Sequence, residues 1–146
     1  MSDRPVILWF RNDLRLANHR ALTAAVETGA PVICLYILDD ESPGLWSRVA
    51  ASRWWLAHSL AALAGDLESR GARLILRRGV ASEIVAAVTT ESKASALYFT
   101  RSYEPWATAQ EHDIKQALDR CGVSVKRFGG QLLREPEDVR TKLGEV

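Results

Sequence analysis

Cysteine is scarce in this chain, and no cysteine or histidine has the spacing of a metal-ligand pair. The 146 residues include two cysteines, Cys34 and Cys121, and three histidines, without any C-x-x-C or H-E-x-x-H pattern. We therefore predict no metal site. Two free thiols in a reducing cytoplasm are the simplest interpretation, and one disulfide is the alternative.

The run Glu111-His112-Asp113 is the nearest approach to a metal-ligand cluster. Adjacent side chains of a helix diverge, so these three residues cannot converge on one ion. Glu111 has Lys115 four residues further on, which predicts an ordinary ion pair on the helix surface.

The chain also lacks an excess of charge and a long apolar run. Lys and Arg number 19 against 18 Asp and Glu, for a net charge of +1. Nucleic-acid-binding domains usually carry a basic excess, so composition does not support DNA binding by this segment alone. No apolar run approaches the ~20 residues that cross a bilayer, and the amino terminus does not resemble a signal peptide. We expect a cytoplasmic protein without a membrane partner.

Glycine-rich phosphate loops and catalytic motifs are missing as well. Neither G-x-G-x-x-G nor G-x-x-x-x-G-K-[ST] occurs, and no serine lies in a nucleophile elbow. We predict no catalytic residue, so that this chain by itself catalyses nothing.

Strand-like and helix-like patterns alternate along the chain. Short apolar or alternating runs predict strands over residues 6–10, 32–38, 74–76, 96–100 and 123–128. The order βαβαβαβαβ predicts the α/β class, with a doubly wound, mainly parallel five-stranded sheet and helices on both faces. This fold is Rossmann-like without the dinucleotide fingerprint. The alternation of residues 123–128 indicates an edge strand.

Four helices are predicted between these strands. Asn18 is placed to cap the first and Ser47 the second, Ser82 begins the third, and Pro105 suits the first turn of the fourth. In the second helix, four leucines fall on one stripe at spacings of four, three and four: Leu56, Leu60, Leu63 and Leu67.

The last residues differ from the rest in composition. Residues 131–146 are mostly polar, contain Pro136 and show no apolar period. We therefore expect one α/β domain over residues 1–130, and the start of a linker over residues 131–146.

Ligands of doubly wound sheets bind outside the carboxyl ends of the strands. The loops to inspect follow Phe10, Leu38 and Thr100.

In the first loop, Arg11 and Arg15 flank Asp13. An ion-pair cluster that fixes the loop is the preferred interpretation, and recognition of an anion or partner domain is the alternative.

The segment from Val6 to Leu16, VILWFRNDLRL, resembles the amino-terminal signature of the photolyase and cryptochrome family. Further similar segments follow in the same order: SRWWL at 52–56, RLILRRG at 73–79, YEP at 103–105 and GGQLL at 129–133. The resemblance covers essentially the whole chain. It implies the family's amino-terminal α/β domain, which often binds an antenna chromophore: a methenyl folate, a deazaflavin, FMN or FAD.

In the family, the antenna passes excitation energy to FAD in a carboxy-terminal helical domain, where reduced FAD splits a pyrimidine dimer. The resemblance therefore implies the antenna domain of a cyclobutane pyrimidine dimer photolyase. Its partners would be its own carboxy-terminal FAD domain and, through the full-length protein only, damaged DNA. The alternatives are a cryptochrome-type light sensor, a scaffold domain without a chromophore, and a free-standing small-ligand-binding domain.

Eight residues are the candidates for contact with a cofactor: Asp39, Arg53, Trp54, Thr100, Arg101, Tyr103, Glu104 and Trp106. Each also has a structural interpretation. Asp39 is more typical of a turn, Glu104 is equally typical of a helix start, and the two arginines suit either a ligand anion or solvent. Of the adjacent Trp54 and Trp55, we expect one in the core and the other at the crevice.

This chain departs from one family pattern. Some folate-binding members have an Asn-Glu pair where Trp106 and Ala107 stand here, and an asparagine where Thr100 stands. The resemblance therefore argues against folate bound in that manner, and leaves a flavin, a deazaflavin, a differently posed folate or no antenna.

Overall fold

The computed structural model describes residues 3–130 and 132–139. Its strands are β1 (Val6–Phe10), β2 (Val32–Leu38), β3 (Leu74–Arg78), β4 (Ala96–Thr100) and β5 (Ser124–Phe128). Its helices are α1 (Arg20–Glu27), α2 (Ala50–Glu68), α3 (Ala81–Ser92) and α4 (Pro105–Arg120), with 3-10 turns at Gly44–Trp46 and Pro136–Asp138. Within these ranges no helix has the length and apolarity that crossing a membrane requires.

The five strands form one sheet in the order β3-β2-β1-β4-β5, and every neighbouring pair is parallel. This confirms the predicted α/β class and the edge position of β5. The chain builds outward from β1 to β3 and then returns to place β4 on the other side of β1. Strand order therefore reverses between β1 and β4, and the loops that follow these two strands diverge and leave a crevice.

Helices cover both faces of the sheet, as predicted. On one face, α3 and α4 bury Val85, Ile114 and Leu118 against the strands. On the other face, α1 and α2 bury Ala25 and Leu63. The central strands β1 and β4 are buried at every position, which is why their sequences are continuously apolar rather than alternating.

The predicted starts of α1 and α2 are wrong. Asn18 takes a left-handed conformation (φ 52°) outside α1, and the cap is His19, whose Nδ1 accepts a hydrogen bond from the Leu22 N–H at 3.1 Å. Ser47 does not cap α2, which begins at Ala50. Its hydroxyl instead donates to the carbonyls of Asp40 and Gly44 and fixes the 3-10 turn before the helix.

The tryptophan pair of α2 also differs from the prediction that one ring enters the core. Trp54 is 58% exposed and Trp55 is 67% exposed. The two rings pack edge-to-face at 5.4 Å between centroids, and Trp54 also packs on His58. The leucine stripe explains this arrangement. Leu56, Leu63 and Leu67 are buried and Leu60 is partly buried, so they turn the tryptophan side of the helix outward.

Candidate functional site: a crevice at the carboxyl edge of the sheet

A cavity of about 790 Å³ opens at the carboxyl edge of the sheet. The loops that follow β1, β2 and β4 all contribute to its wall, as the topology requires. Aromatic side chains line it at five positions: Trp9, Phe10, Tyr36, Trp46 and Trp106. Its volume is within the range of ligand pockets, which are mostly apolar with a few polar groups.

A buried ion-pair network begins at Arg11, which lines this crevice. The Arg11 guanidinium donates to the Glu111 carboxylate, and both side chains are more than nine-tenths buried. Glu111 also accepts from the Ser102 N–H at 2.8 Å and lies 3.3 Å from Arg127. The network ties the loops after β1 and β4 to α4 and to β5. Arg11 further lies 4.6 Å from the centroid of the Trp9 ring, a cation–π contact.

This network shows that the predicted surface pair of Glu111 with Lys115 is wrong. Glu111 faces the sheet, and Lys115 pairs with Asp119 on the exposed side of α4. The i,i+4 spacing is compatible with a surface pair, but the phase of the helix places Glu111 on the same side as the buried Ile114 and Leu118. That phase is the signal that identifies Glu111 as a buried carboxylate.

The expected cluster of Asp13 with two flanking arginines does not form either. Asp13 is buried against His19, with its Oδ2 atom 2.7 Å from Nε2 of the imidazole, and its Oδ1 atom accepts from the backbone N–H of Arg11. Because Nδ1 accepts from Leu22, it is Nε2, the nitrogen that faces Asp13, that carries the imidazole proton. Burial alone would raise the pKa of Asp13, but hydrogen bonds from His19, Thr100 and Arg11 lower it to about 2.

Asp39 lies at the crevice wall and joins three elements. Its Oδ2 atom accepts from the Ala81 N–H at the start of α3, from Ser42 and from Gln110 of α4. Its Oδ1 atom accepts from the N–H groups of Glu41 and Ser42. Partial burial opposes ionisation, but these hydrogen bonds lower the pKa of Asp39. Five protein donors thus hold the carboxylate in place.

Glu104 and Trp106 line the crevice at the start of α4. The Glu104 carboxylate accepts a hydrogen bond from the Ser102 hydroxyl, and this bond is the main reason that the pKa of Glu104 is lowered. Glu104 therefore places a negative charge and Trp106 an indole ring on one wall.

Arg101 and Tyr103 come from the same loop but point away from the crevice. The Tyr103 hydroxyl donates to Glu135 at 2.6 Å, and the Arg101 guanidinium donates to both carboxylate oxygens of Glu137. Burial and the bond to Glu135 raise the pKa of Tyr103 to about 12.

The three remaining candidates lie around the crevice rather than on its wall. Thr100 is buried at the end of β4, where its carbonyl accepts from Arg11 at 3.4 Å. Arg53 pairs with Asp40 at 2.8 Å, and Trp54 packs on Trp55 and His58. Of the eight candidate residues, Asp39, Glu104 and Trp106 line the crevice.

Sequence reasoning missed part of the wall. Trp46, Arg48 and Gln110 line the crevice, and Arg48 donates to Asn12 at 3.1 Å. A smaller hollow of about 260 Å³ lies beside the crevice and shares Arg11, Asn12, Arg48 and Ser52 with it. Gln110 was detectable, because it lies one turn after Trp106 on α4. The irregular turn that carries Trp46 and Arg48 has no periodic signal.

The arrangement suits binding better than bond making. Aromatic rings offer stacking surfaces, Arg11 and Arg48 offer positive charge, and Gln110 offers an amide. Within residues 3–130 and 132–139, no three His, Cys, Asp or Glu side chains converge as metal ligands would. The fold therefore defines a doubly wound α/β domain with a crevice at its switch point.

Comparison with known proteins identifies the family. The model of the DNA photolyase family matches residues 6–146. The chain belongs to the DNA photolyase family. It is 45% identical over 144 residues to a deoxyribodipyrimidine photo-lyase of Agrobacterium fabrum, covering 99% of this chain and 29% of that protein. It is 39% identical over 139 residues to cryptochrome-1 of Arabidopsis thaliana, covering 94% of this chain and 20% of that protein.

Solved structures show the same relation. A bacterial class III photolyase from Agrobacterium tumefaciens matches 99% of this chain and 30% of its own length, with a TM-score of 0.89 and 43% identity. An archaeal photolyase from Sulfolobus tokodaii, solved with two FAD molecules, matches 94% of this chain and 32% of its own length, with a TM-score of 0.83. Its identity is 23%, which shows the shared fold alone. The chain thus spans about three-tenths of these photolyases and corresponds to their amino-terminal domain.

Proposed function

We propose that this chain is the antenna-chromophore domain of a light-dependent DNA repair enzyme that splits cyclobutane pyrimidine dimers. The observation that carries the proposal is the crevice of about 790 Å³, with aromatic walls, at the switch point of a photolyase-type sheet. An antenna absorbs light and transfers the excitation to a catalytic flavin, so the domain has to bind and orient a pigment without reacting with it.

The residues present suit a planar chromophore with polar groups. Trp9, Tyr36 and Trp106 offer ring faces and edges for a conjugated ring system. Arg48 would hold an anionic or carbonyl group, and Gln110 would hydrogen-bond a ring heteroatom. FMN, FAD, a deazaflavin and a methenyl folate all combine a planar ring with polar groups, so the wall is compatible with each of them.

Absorption spectroscopy tests the proposal. The purified chain is mixed in turn with FMN, FAD, methenyl folate and a deazaflavin, and its spectrum is taken after the excess is removed. We expect one pigment to be retained with a shifted absorption band. Trp106→Ala should abolish retention, because it removes a ring from the wall. Trp54→Ala is the matched control, since Trp54 lies outside the crevice.

Two results would contradict the proposal. A chain that retains none of the four pigments would not be an antenna domain sufficient in itself. Equal retention by the wild type, Trp106→Ala and Trp54→Ala would place the pigment outside the crevice.

The proposal extends to the protein that contains this domain. Residues 1–130 would form the antenna domain, and residues 131–146 would lead into a carboxy-terminal domain that binds catalytic FAD and damaged DNA. DNA contact would belong to that protein as a whole, because this chain carries a net charge of only +1. The free thiols Cys34 and Cys121 are compatible with the reducing cytoplasm, where we place the protein.

A cryptochrome-type light sensor is the second candidate, and the 39% identity to Arabidopsis cryptochrome-1 favours it. Repair of ultraviolet-irradiated DNA by the full-length protein separates the two functions. Light-dependent loss of pyrimidine dimers is expected of the repair enzyme. A full-length protein that holds FAD and repairs nothing would be the sensor.

A further inference from the structure

The four residues between β4 and α4 face two different parts of the molecule. We call residues 101–104 the pocket loop and residues 132–139 the acidic segment. Ser102 and Glu104 line the crevice, whereas Arg101 and Tyr103 contact the acidic segment. Successive side chains of an extended chain point to opposite sides. Contacts that hold Arg101 and Tyr103 therefore also determine where Ser102 and Glu104 point.

The acidic segment holds the pocket loop through two glutamates. Glu137 accepts two hydrogen bonds from the Arg101 guanidinium, at 3.0 and 3.1 Å, in a bidentate pair. Glu135 accepts from the Tyr103 hydroxyl at 2.6 Å and lies 3.2 Å from Arg101. The guanidinium is 4.8 Å from the centroid of the Tyr103 ring, so the two loop side chains support each other.

Gly129 leaves the space that the Glu135 carboxylate occupies. A Cβ atom at this position would lie 2.1 Å from Glu135 Oε1 and 3.0 Å from its Cδ. Any larger residue at position 129 would displace the carboxylate from Tyr103. The glycine at the end of β5 thus allows the acidic segment to reach the pocket loop.

We infer that the acidic segment positions the pocket loop at the crevice. It acts through Arg101 and Tyr103, which are the positioning residues. Docking of the segment holds the pocket loop with Ser102 and Glu104 toward the crevice. Binding of any ligand that contacts these two residues and docking of the segment then favour each other, because linkage between two sites is reciprocal. The inference does not depend on which ligand the crevice binds.

Hydrogen exchange of the 146-residue chain without ligand tests this positioning role of the acidic segment with two variants. Glu135→Gln removes the charge and keeps the shape, whereas Gly129→Ala keeps the charge and displaces the carboxylate. Both should accelerate exchange of the backbone amides of residues 101–104 and of Trp106 about tenfold, since a hydrogen bond to a charged group is lost at that loop. Exchange in β1 and in residues 39–49, on the opposite wall, should not change. Asp138→Asn, a charge removal in the same segment, is the matched control and should leave all of these rates unchanged.

Ionisation of Tyr103 gives a second readout, which reports on this side chain directly. Its ring carbon resonance, followed by NMR from pH 8 to 11, should stay that of the phenol in the wild type and in Asp138→Asn. In Glu135→Gln and Gly129→Ala the phenol should begin to ionise at a lower pH than in the wild type, because the bond to Glu135 is one of the causes of its raised pKa. Unchanged exchange of residues 101–106 in both variants would overturn the inference. So would acceleration that extends equally through β1 and residues 39–49, because the segment would then support the whole fold rather than the loop.

Discussion

The carboxylate of Glu111 is almost completely buried, and its neighbours compensate its negative charge. It is 3% exposed and accepts from Arg11, Arg127 and the Ser102 N–H. Removing one partner of a buried pair leaves the other charge uncompensated and typically costs about 3–5 kcal/mol. We expect Glu111→Gln to lower the free energy of unfolding, measured in urea, by about 3 kcal/mol.

The matched control is Asp119→Asn on the same helix. It breaks the exposed pair with Lys115, and exposed pairs contribute about 0–1 kcal/mol. A loss in Glu111→Gln no larger than that in Asp119→Asn would show that water reaches the Arg11–Glu111 pair.

Asp13 makes the free energy of unfolding depend on pH. Its pKa falls from 3.8 to about 2 in the folded state. A depressed carboxyl pKa stabilises the fold above the unfolded value, and this contribution is lost as the pH falls through the folded value. We expect Asp13 to contribute about 2 kcal/mol above pH 4, most of which disappears by pH 2.

Urea unfolding at several pH values measures this contribution. The difference in unfolding free energy between the wild type and Asp13→Asn should be largest above pH 4 and shrink toward pH 2. Asp66→Asn, which removes an exposed carboxylate from α2, should leave the pH profile of the wild type unchanged. A constant difference between the wild type and Asp13→Asn would mean that Asp13 does not ionise with a depressed pKa.

At the scale of elements, α2 is attached to the rest of the fold by its leucine side. Leu63 is 1% exposed and packs in the cluster beneath α1 and α2, whereas Leu45, just before the helix, is fully exposed. Truncation of a buried leucine costs about 2–5 kcal/mol, and surface changes stay within about 0.5 kcal/mol. Leu63→Ala should therefore lower the unfolding free energy by about 3 kcal/mol, and Leu45→Ala should leave it nearly unchanged.

Thermal and urea unfolding of both variants measure the difference. Similar losses for Leu63→Ala and Leu45→Ala would mean that residues 44–46 are also packed in the stable fold.

Strands and helices differed in how well the sequence predicted them. Strands β1, β2 and β4 were predicted at their observed bounds, because continuous apolar runs are typical of strands covered on both faces. Helix starts were less predictable. His19 caps α1 with a ring nitrogen, although histidine is not a preferred cap. The Ser47 hydroxyl donates to the Gly44 carbonyl in the turn before α2 and does not cap the helix.

At the scale of the whole molecule, topology predicted where the site lies but not all of its residues. The carboxyl edge follows from the order of parallel strands, and three of the eight candidates line the crevice there. The direction of Arg101 and Tyr103 depends on contacts with residues more than 30 positions away. No local pattern contains that information, because the acidic segment lacks periodicity.

The crevice draws its walls from loops on both sides of β1, so a bound ligand should stabilise the sheet as one unit. A ligand at one hundred times its dissociation constant adds about 2.7 kcal/mol to the free energy of unfolding if it binds only the folded chain. For a domain of this size we expect the melting temperature to rise by about 8 °C with the pigment that the absorption experiment identifies. At the same pigment concentration, Trp54→Ala should show the full rise and Trp106→Ala little or none. A pigment retained in the spectrum without any rise would bind folded and unfolded chains alike, and such a pigment would not occupy a site that the fold assembles.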